Sequence, residues 1–180
     1  MKFGAIVLIF FSCIAVTLSA FNLFLTYTHP LKYENVVIEG AKKYDLSPSL
    51  LASLINVESS FKPNVKSNKN AIGLMQIKLS TANYLDDLNG NEHVSETSLF
   101  EVKTNINYGC EYLNYLMKKF KDVNTTLAAY NAGETIVRSW LNSGIYSTDK
   151  ITLSYIPYEE TRNYIKKINK NIKFYNKYFN

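Results

Sequence analysis

The fold is decided by the stretch Ser47-Pro48-Ser49-Leu50-Leu51-Ala52-Ser53-Leu54-Ile55-Asn56-Val57-Glu58-Ser59. Its first residue carries a hydroxyl that can cap a helix, and the proline after it suits the first helical position. Leucine and isoleucine side chains then recur every three to four residues, which is the spacing of one helix face. The stretch therefore predicts a helix that buries one apolar face in a protein core.

Glu58 lies on that apolar face. At about 100° per residue its side chain falls within about 60° of those of Leu51, Leu54 and Ile55. An ionised carboxylate is unfavourable among apolar neighbours, so burial should raise the pKa of Glu58, as a general acid near neutral pH requires. The alternative is a glutamate at a helix end that turns into water or pairs with Lys62. This helix alone does not decide between the two.

Most of the chain beyond Lys32 shows the same spacing of apolar side chains. Residues 62–70 are polar and predict a loop, with Pro63 ending the helix before it. Residues 143–156 predict irregular structure, with 151–156 extended. The pattern indicates a compact, mainly α domain of six or seven helices. The predicted helices cover residues 36–44, 48–59, 74–88, 105–120, 124–130 with Asn124 as its cap, and 134–141, and a last one follows Pro157.

The composition excludes several classes of protein. Hydrophobic residues make up 47% of the chain and aromatic residues 14%, which excludes a disordered tail protein. Two cysteines and two isolated histidines provide neither a disulfide framework nor a zinc finger, and we expect no metal and no cofactor. Cys110 falls on the apolar stripe of its helix and is predicted to be a buried thiol.

The formal net charge is +5, and much of the positive charge lies near the C-terminus. Six basic residues lie between Arg162 and Lys177, and no acidic residue follows Glu160. Such a run is typical of a solvated helix face, and attraction to anionic lipid headgroups or to an anionic wall polymer is the alternative. No nucleic-acid recognition motif accompanies the run, so we expect no nucleic-acid binding.

The N-terminus is predicted to be an export element. After Lys2 the chain is almost entirely apolar to residue 25, and about 20 apolar residues are enough to span a bilayer. Three interpretations stay open: an uncleaved signal anchor, which the length favours, cleavage near Thr17–Ala20, or a lipid-modified Cys13. All three divide the chain into a signal-anchor or transmembrane segment with a short linker, 1–31, and a domain, 32–180, outside the cytoplasmic membrane.

Four blocks of sequence follow in order along this domain. They are Glu58-Ser59-Ser60-Phe61 with Pro63 and Ser67, Gly73-Leu74-Met75-Gln76-Ile77, Ala128-Ala129-Tyr130-Asn131-Ala132-Gly133, and Ile156-Pro157-Tyr158-Glu159-Glu160-Thr161-Arg162-Asn163-Tyr164. In this order they resemble the catalytic domain of the soluble-type lytic transglycosylases, glycoside hydrolase family 23. The resemblance covers roughly residues 35–175. It implies a lysozyme-like, mainly α fold with a cleft for the glycan of peptidoglycan.

The resemblance also implies the reaction. This family cleaves the β-1,4 bond between N-acetylmuramic acid and N-acetylglucosamine without water, and the product ends in a 1,6-anhydro ring. Glu58 matches the single acid/base of the family, which protonates the glycosidic oxygen and then accepts the proton of the muramyl C6 hydroxyl. The N-acetyl group of the substrate assists at C1, so that the second carboxylate of most glycosidases is not needed.

Six further positions match substrate-binding residues of the family. The first contacts the N-acetyl region of the sugar, and the next two form the cleft wall. The fourth and fifth are a Tyr-Asn pair whose tyrosine hydroxyl lies close to the acid, and the last binds the glycan in the subsites. In chain order they are Ser67, Met75, Gln76, Tyr130, Asn131 and Glu160.

One departure from the family pattern concerns the cleft wall. Lys78 and Leu79 stand where the family often has Met-Pro. The missing methionine would loosen one saccharide contact, and Lys78 could form an ion pair with an anionic muramyl lactyl or peptide carboxylate.

Two rival functions remain beside the transglycosylase. A goose-type lysozyme would use the same Glu58 with water as the attacking group, and a second carboxylate would favour it; Asp86 and Asp87 are the sequence candidates. A non-catalytic wall-binding scaffold is the other rival, and the intact acid argues against it. The expected location is the cell envelope, with the domain anchored to the membrane on its periplasmic or extracytoplasmic side and peptidoglycan strands as its partner.

Overall fold

The fold is mainly α-helical, as the sequence predicts. A computed structural model describes the backbone of residues 2–179 and, in that range, every side chain except those at positions 2, 3, 5, 6 and 22. The elements in chain order are α1 (Lys2–Thr28), α2 (Glu34–Lys43), α3 (Pro48–Ser59), β1 (Ala71–Ile72), β2 (Ile77–Lys78), α4 (Leu79–Asn89), a 3-10 turn (Thr97–Phe100), α5 (Val102–Phe120), α6 (Val123–Ala132), α7 (Glu134–Asn142) and α8 (Glu159–Phe179).

α3 is the central helix of the core and packs against α8 and α2. The hydroxyl of Ser47 accepts a hydrogen bond from a backbone N–H of the first turn (3.4 Å), so the predicted cap is confirmed. The helix ends at Ser59, because Ser60 and Phe61 both take left-handed backbone conformations (φ 52° and 59°). Pro63 was predicted to end α3, but it lies beyond this turn. The left-handed residues Ser60 and Phe61 end the helix instead.

The segment after the polar loop departs from the prediction. The sequence predicts a helix from Leu74, but β1 and β2 form an antiparallel hairpin there and α4 begins only at Leu79. Gly73 (φ 73°) turns the chain, and a Cβ at this position would lie 2.3 Å from the amide nitrogen of Asn105. The Asn105 amide accepts from the N–H of Met75 in the turn and donates to one backbone carbonyl of β1 and one of the 3-10 segment. The buried Asn105 amide of α5 thus supplies hydrogen bonds to the backbone around the turn. Because of these bonds the segment forms a hairpin, although its apolar residues have helical spacing.

α5 and α6 match the predicted helices with small shifts. Cys110 is fully buried, as predicted. α6 is capped by Asp122, whose carboxylate accepts from the N–H of Thr125 (2.7 Å), so the prediction of Asn124 as the cap was wrong. Residues 143–158 are irregular, and the extension predicted within them is not a strand.

Among the described residues, α1 is the one helix long and apolar enough to cross a membrane. Its apolar part, Val7–Thr28, has a mean hydropathy of 2.2 and is not buried against the rest of the protein. The positive charge of Lys2 before the apolar run predicts that the N-terminus stays in the cytoplasm, and this side chain lies outside the described residues. The division between residues 31 and 32 and the fate of Cys13 stay predictions.

Candidate active site

Six of the seven predicted site residues line one cavity of about 380 Å³. Its walls come from the end of α3, the loop before β1, the hairpin, the end of α6 and the start of α8. Two lysines, Lys69 and Lys78, also line it. The packing of α3, α6 and α8 therefore brings together positions that lie far apart in the chain. The six are Glu58, Ser67, Gln76, Tyr130, Asn131 and Glu160.

Glu58 occupies the last turn of α3 and is half-buried at the cavity wall. Its Oε1 accepts a hydrogen bond from the Tyr164 hydroxyl of α8 at 2.6 Å. Burial raises the pKa of Glu58 to about 7, and the Tyr164 bond opposes that rise because it stabilises the carboxylate. Among the described residues no ion pair involves Glu58, so the alternative of pairing with Lys62 is not observed. Such a carboxyl group can both donate and accept a proton near neutral pH.

Two tyrosines lie near the acid, and they have different partners. Tyr164 donates to Glu58 directly, whereas the Tyr130 hydroxyl donates to the backbone carbonyl of Met75 (2.8 Å). Burial and the nearby Glu58 charge hold the pKa of Tyr130 well above its usual range. Tyr164 was not among the predicted site residues, because its place on the apolar stripe of α8 indicates a core tyrosine. Its position four residues after Glu160, one helical turn away, is the signal that could have revealed it.

Met75 is the predicted site residue that the structure places elsewhere. Its side chain is fully buried and does not line the cavity. It packs closely on Gly109 of α5, where an added Cβ would lie 2.2 Å from the methionine sulfur. The backbone of Met75, and not its side chain, is linked to the site. Its carbonyl accepts the hydrogen bond of the Tyr130 hydroxyl, and its N–H donates to Asn105. The cleft wall at this point is formed by Gln76 rather than by Met75.

The amide side chains of the cavity are oriented by the protein. Gln76 donates through Nε2 to the backbone carbonyl of Gly73 (2.9 Å), which leaves its oxygen as an acceptor for a sugar hydroxyl or amide N–H. Asn131 accepts through Oδ1 from the Thr161 hydroxyl (2.7 Å), which leaves its NH₂ group as a donor. Ser67 accepts from a backbone N–H of β1 (3.1 Å) and keeps its hydroxyl proton. The cavity thus presents both donors and acceptors to a polar ligand.

A second cavity of about 310 Å³ continues the first. The two share Gln76, Lys78, Tyr130 and Asn131 in their walls. The extension is lined further by Tyr112 and by small polar residues at the start of α4. The site is therefore an elongated cleft, with Glu58 in the wall of its first half and Lys78 in the walls of both halves.

The two aspartates considered as second carboxylates lie outside the cleft. Asp86 is buried and accepts hydrogen bonds from the Tyr108 hydroxyl (2.7 Å) and a backbone N–H. Asp87 pairs with His93 (2.8 Å). Among the described residues lining the cleft, the carboxylates are Glu58 and Glu160. No group of three histidine, cysteine or acidic side chains in this described part of the chain is arranged to hold a metal ion.

The family described as the transglycosylase SLT domain matches residues 35–153 of this chain. The chain belongs to this family. The resemblance drawn from the four sequence blocks is thereby confirmed. The SLT match ends before α8, so Tyr164 and Glu160 lie beyond the matched residues.

Known SLT proteins are similar to most of this chain. It is 34% identical over 142 residues to the soluble lytic murein transglycosylase of Salmonella typhimurium, covering 77% of this chain and 22% of that protein. It is 33% identical over 168 residues to the membrane-bound lytic murein transglycosylase C of Histophilus somni, covering 80% and 46%. The structure of an inactive Glu-to-Gln mutant of lytic transglycosylase Slt from Pseudomonas aeruginosa superposes with a TM-score of 0.73 at 27% identity, covering 85% and 25%. The chain therefore spans less than half the length of each of these relatives.

Proposed function

We propose that this protein is a peptidoglycan lytic transglycosylase. It cleaves the β-1,4 bond between N-acetylmuramic acid and N-acetylglucosamine and leaves a 1,6-anhydromuramyl end, with Glu58 as its acid/base. The observation that carries the proposal is the position of Glu58 in the wall of a polar, elongated cleft, where burial raises its pKa to about 7. The relatives named as lytic murein transglycosylases support it.

The proposed reaction uses Glu58 twice. The protonated carboxyl group gives its proton to the glycosidic oxygen, and the bond between that oxygen and the muramyl C1 breaks. The N-acetyl oxygen of the substrate stabilises C1 in the absence of a nucleophilic carboxylate. Glu58, now a carboxylate, takes the proton of the C6 hydroxyl as the C6 oxygen bonds to C1. The anhydro ring closes, no water is consumed, and Glu58 is again protonated.

The neighbouring residues position this chemistry. The Tyr164 hydroxyl holds the carboxyl group through Oε1 and stabilises the carboxylate that forms after the first proton transfer. Gln76, Asn131 and Ser67 bind the polar groups of the sugars through the free donors and acceptors of their side chains. Glu160 binds the glycan from the first turn of α8. Met75 acts only through its backbone.

Mass spectrometry of the products tests this proposal. The full chain in detergent is incubated with purified peptidoglycan, and the released muropeptides are analysed for their ends. We expect anhydromuramyl ends. Reducing ends would identify the lysozyme-type hydrolase instead, and release of neither would favour the wall-binding scaffold. The Glu58→Gln variant is the control, and the Pseudomonas relative with a Glu-to-Gln substitution is described as inactive.

We also propose that α1 anchors the protein in the membrane, with the catalytic domain on the extracytoplasmic side. The apolar part Val7–Thr28 and the membrane-bound relative support this placement. The intact mass of the protein from membranes decides among the three fates of the N-terminus: an uncleaved chain, a chain shortened near Thr17–Ala20, or a lipid mass on Cys13. Resistance of the uncleaved chain to alkaline extraction would support a spanning helix.

A further inference from the structure

The end of α1 is bound to the domain by hydrogen bonds. The Asn56 side chain of α3 donates to the backbone carbonyl of Thr28 (3.1 Å), and the Tyr175 hydroxyl of α8 donates to the carbonyl of Pro30 (2.8 Å). Both donors belong to buried side chains. The first bond satisfies a carbonyl that the end of α1 leaves open, and the second satisfies a carbonyl of the linker that follows. The two bonds therefore hold the C-terminal end of α1 against the domain.

Aromatic packing shows where this junction lies along α1. The His29 ring stacks on Phe174 of α8, with the ring centroids 4.1 Å apart. His29 directly follows the apolar part Val7–Thr28, whose 22 residues match the hydrocarbon core of about 30 Å at about 1.5 Å per residue. With α1 inserted, the C-terminal half of α8 therefore lies where hydrocarbon meets headgroups.

α8 carries a lysine stripe beside this junction. At about 100° per residue, four lysines fall within an arc of about 60°, and Phe174 borders the arc about 40° from its edge. All four are exposed. The lysine stripe consists of Lys166, Lys170, Lys173 and Lys177.

Nothing among the described residues neutralises the lysine stripe. No ion pair in the described part of the chain involves it, and no acidic residue follows Glu160 in the sequence. Arg162 is engaged elsewhere, because its guanidinium donates to the backbone carbonyls of Ile156 and Pro157 (2.6 and 2.8 Å). A groove of about 550 Å³ runs along three of the lysines, with Ile165 in its wall. The groove offers space for an anionic group with apolar parts.

We propose that the lysine stripe binds the anionic headgroups of the membrane in which α1 is inserted. The domain then rests on the membrane through α8 and does not swing freely on α1. Charge complementarity favours an anionic partner. Phe174, which stacks on His29 at the end of α1, borders the lysine stripe, and this position favours the protein's own membrane over a distant polymer. The inference rests on the proposed membrane insertion of α1 and not on the proposed reaction.

Lysine footprinting tests the inference on the full chain. The protein is reconstituted in vesicles of phosphatidylcholine alone or with phosphatidylglycerol, acetylated with a water-soluble reagent and analysed by mass spectrometry. We expect the lysine stripe to react about threefold or more slowly in the anionic vesicles, and the protection to vanish at about 1 M salt, where charges are screened within about 3 Å. Lys118 of α5, which is exposed and outside the stripe, is the internal control.

Matched variants separate the stripe from overall charge. One variant replaces the lysine stripe by glutamine, and the other replaces Lys42, Lys62, Lys118 and Lys150, which are also exposed. Both lose four positive charges. Native mass spectrometry of the full chain in detergent measures the ratio of bound phosphatidylglycerol to bound phosphatidylcholine. We expect this ratio to fall about fivefold in the first variant and to stay at the wild-type value in the second. Circular dichroism checks that both variants fold.

The outcomes distinguish the alternatives. Equal labelling of the stripe in both kinds of vesicle would overturn the inference. Protection by added wall teichoic acid in phosphatidylcholine vesicles, without protection by phosphatidylglycerol, would overturn it in favour of a wall polymer. Release of anhydromuropeptides in detergent should be the same in both variants within about twofold, since none of the substituted lysines lines the cleft. If the lipid protection were present but no anhydro products formed, only the proposed reaction would fail.

Discussion

The two ends of α8 use the same residue type for different purposes. Tyr164 and Tyr175 are eleven residues apart and lie on one face of the helix, within about 20° of each other and about 16 Å apart. Near the start of α8 the Tyr164 hydroxyl donates to the carboxyl group of Glu58, and near the end the Tyr175 hydroxyl donates to the carbonyl of Pro30. The first bond changes the proton affinity of an acid, whereas the second only satisfies a backbone group. The role of each tyrosine hydroxyl therefore depends on the group that accepts its hydrogen bond.

The largest expected effect is at the acid itself. Glu58→Gln keeps the shape of the side chain but removes its ability to donate and accept a proton. We expect release of anhydromuropeptides to fall by about 100-fold or more, measured as initial rates on purified peptidoglycan. Thermal unfolding monitors the fold of the variant. Full activity in the folded variant would mean that Glu58 is not the acid/base.

Removal of the hydroxyl near Glu58 should have the next largest effect. In Tyr164→Phe the carboxylate loses its hydrogen bond, so the pKa of Glu58 rises further above about 7. We expect about a tenfold loss of kcat/KM from poorer positioning. Because the first step needs protonated Glu58, the activity of the wild type falls as pH rises through about 7, and this fall moves to higher pH in the variant. A pH profile of kcat/KM measures the shift, and an unchanged profile would argue against the bond in solution.

The burial of Glu58 should also appear in stability. The raised pKa means that the folded protein binds a proton more strongly than the unfolded chain, so wild-type stability falls as pH rises from about 4.5 to about 7. Glu58→Gln removes the charge that burial disfavours. We expect it to raise the free energy of unfolding by about 1–3 kcal/mol at pH 8 and to leave it nearly unchanged at pH 4. Denaturant unfolding at the two pH values measures the difference, and an equal effect at both would mean that burial of the Glu58 charge is not its cause.

The smallest effect is expected at the other end of α8. Tyr175→Phe removes the bond to Pro30, and we expect a loss of about 1 kcal/mol in the free energy of unfolding. Activity and its pH profile should stay within about twofold of the wild type, because the substituted hydroxyl does not reach the cleft. Hydrogen exchange at residues 28–31 should quicken. A shift in the pH profile of this variant would show that the two ends of α8 are not independent.

Much of the site was predictable because it depends on local patterns. The helical spacing around Glu58 left burial and a turn into water both open, and the match of Glu58 to the acid of the family favoured burial. Gln76, Tyr130 and Asn131 belong to short blocks whose order identifies the family. The hairpin was not predictable, because Asn105 supplies its turn with hydrogen bonds from α5. Met75 was misplaced for the same reason, since the close approach of Gly109 draws its side chain into the core.

The sequence by itself determined most helices of the domain and the apolar N-terminal segment, and the resemblance of the four blocks indicated Glu58 as the proposed acid. The helices and the apolar segment follow from the period of apolar side chains and from residue types within a few positions of one another. Only the tertiary structure decided that Tyr164 holds Glu58, that Tyr175 holds Pro30, and that the lysine stripe lies beside the end of α1. These contacts join residues more than 100 positions apart, so they exist only once α8 packs against α3 and against the residues that follow α1, and no local pattern encodes them.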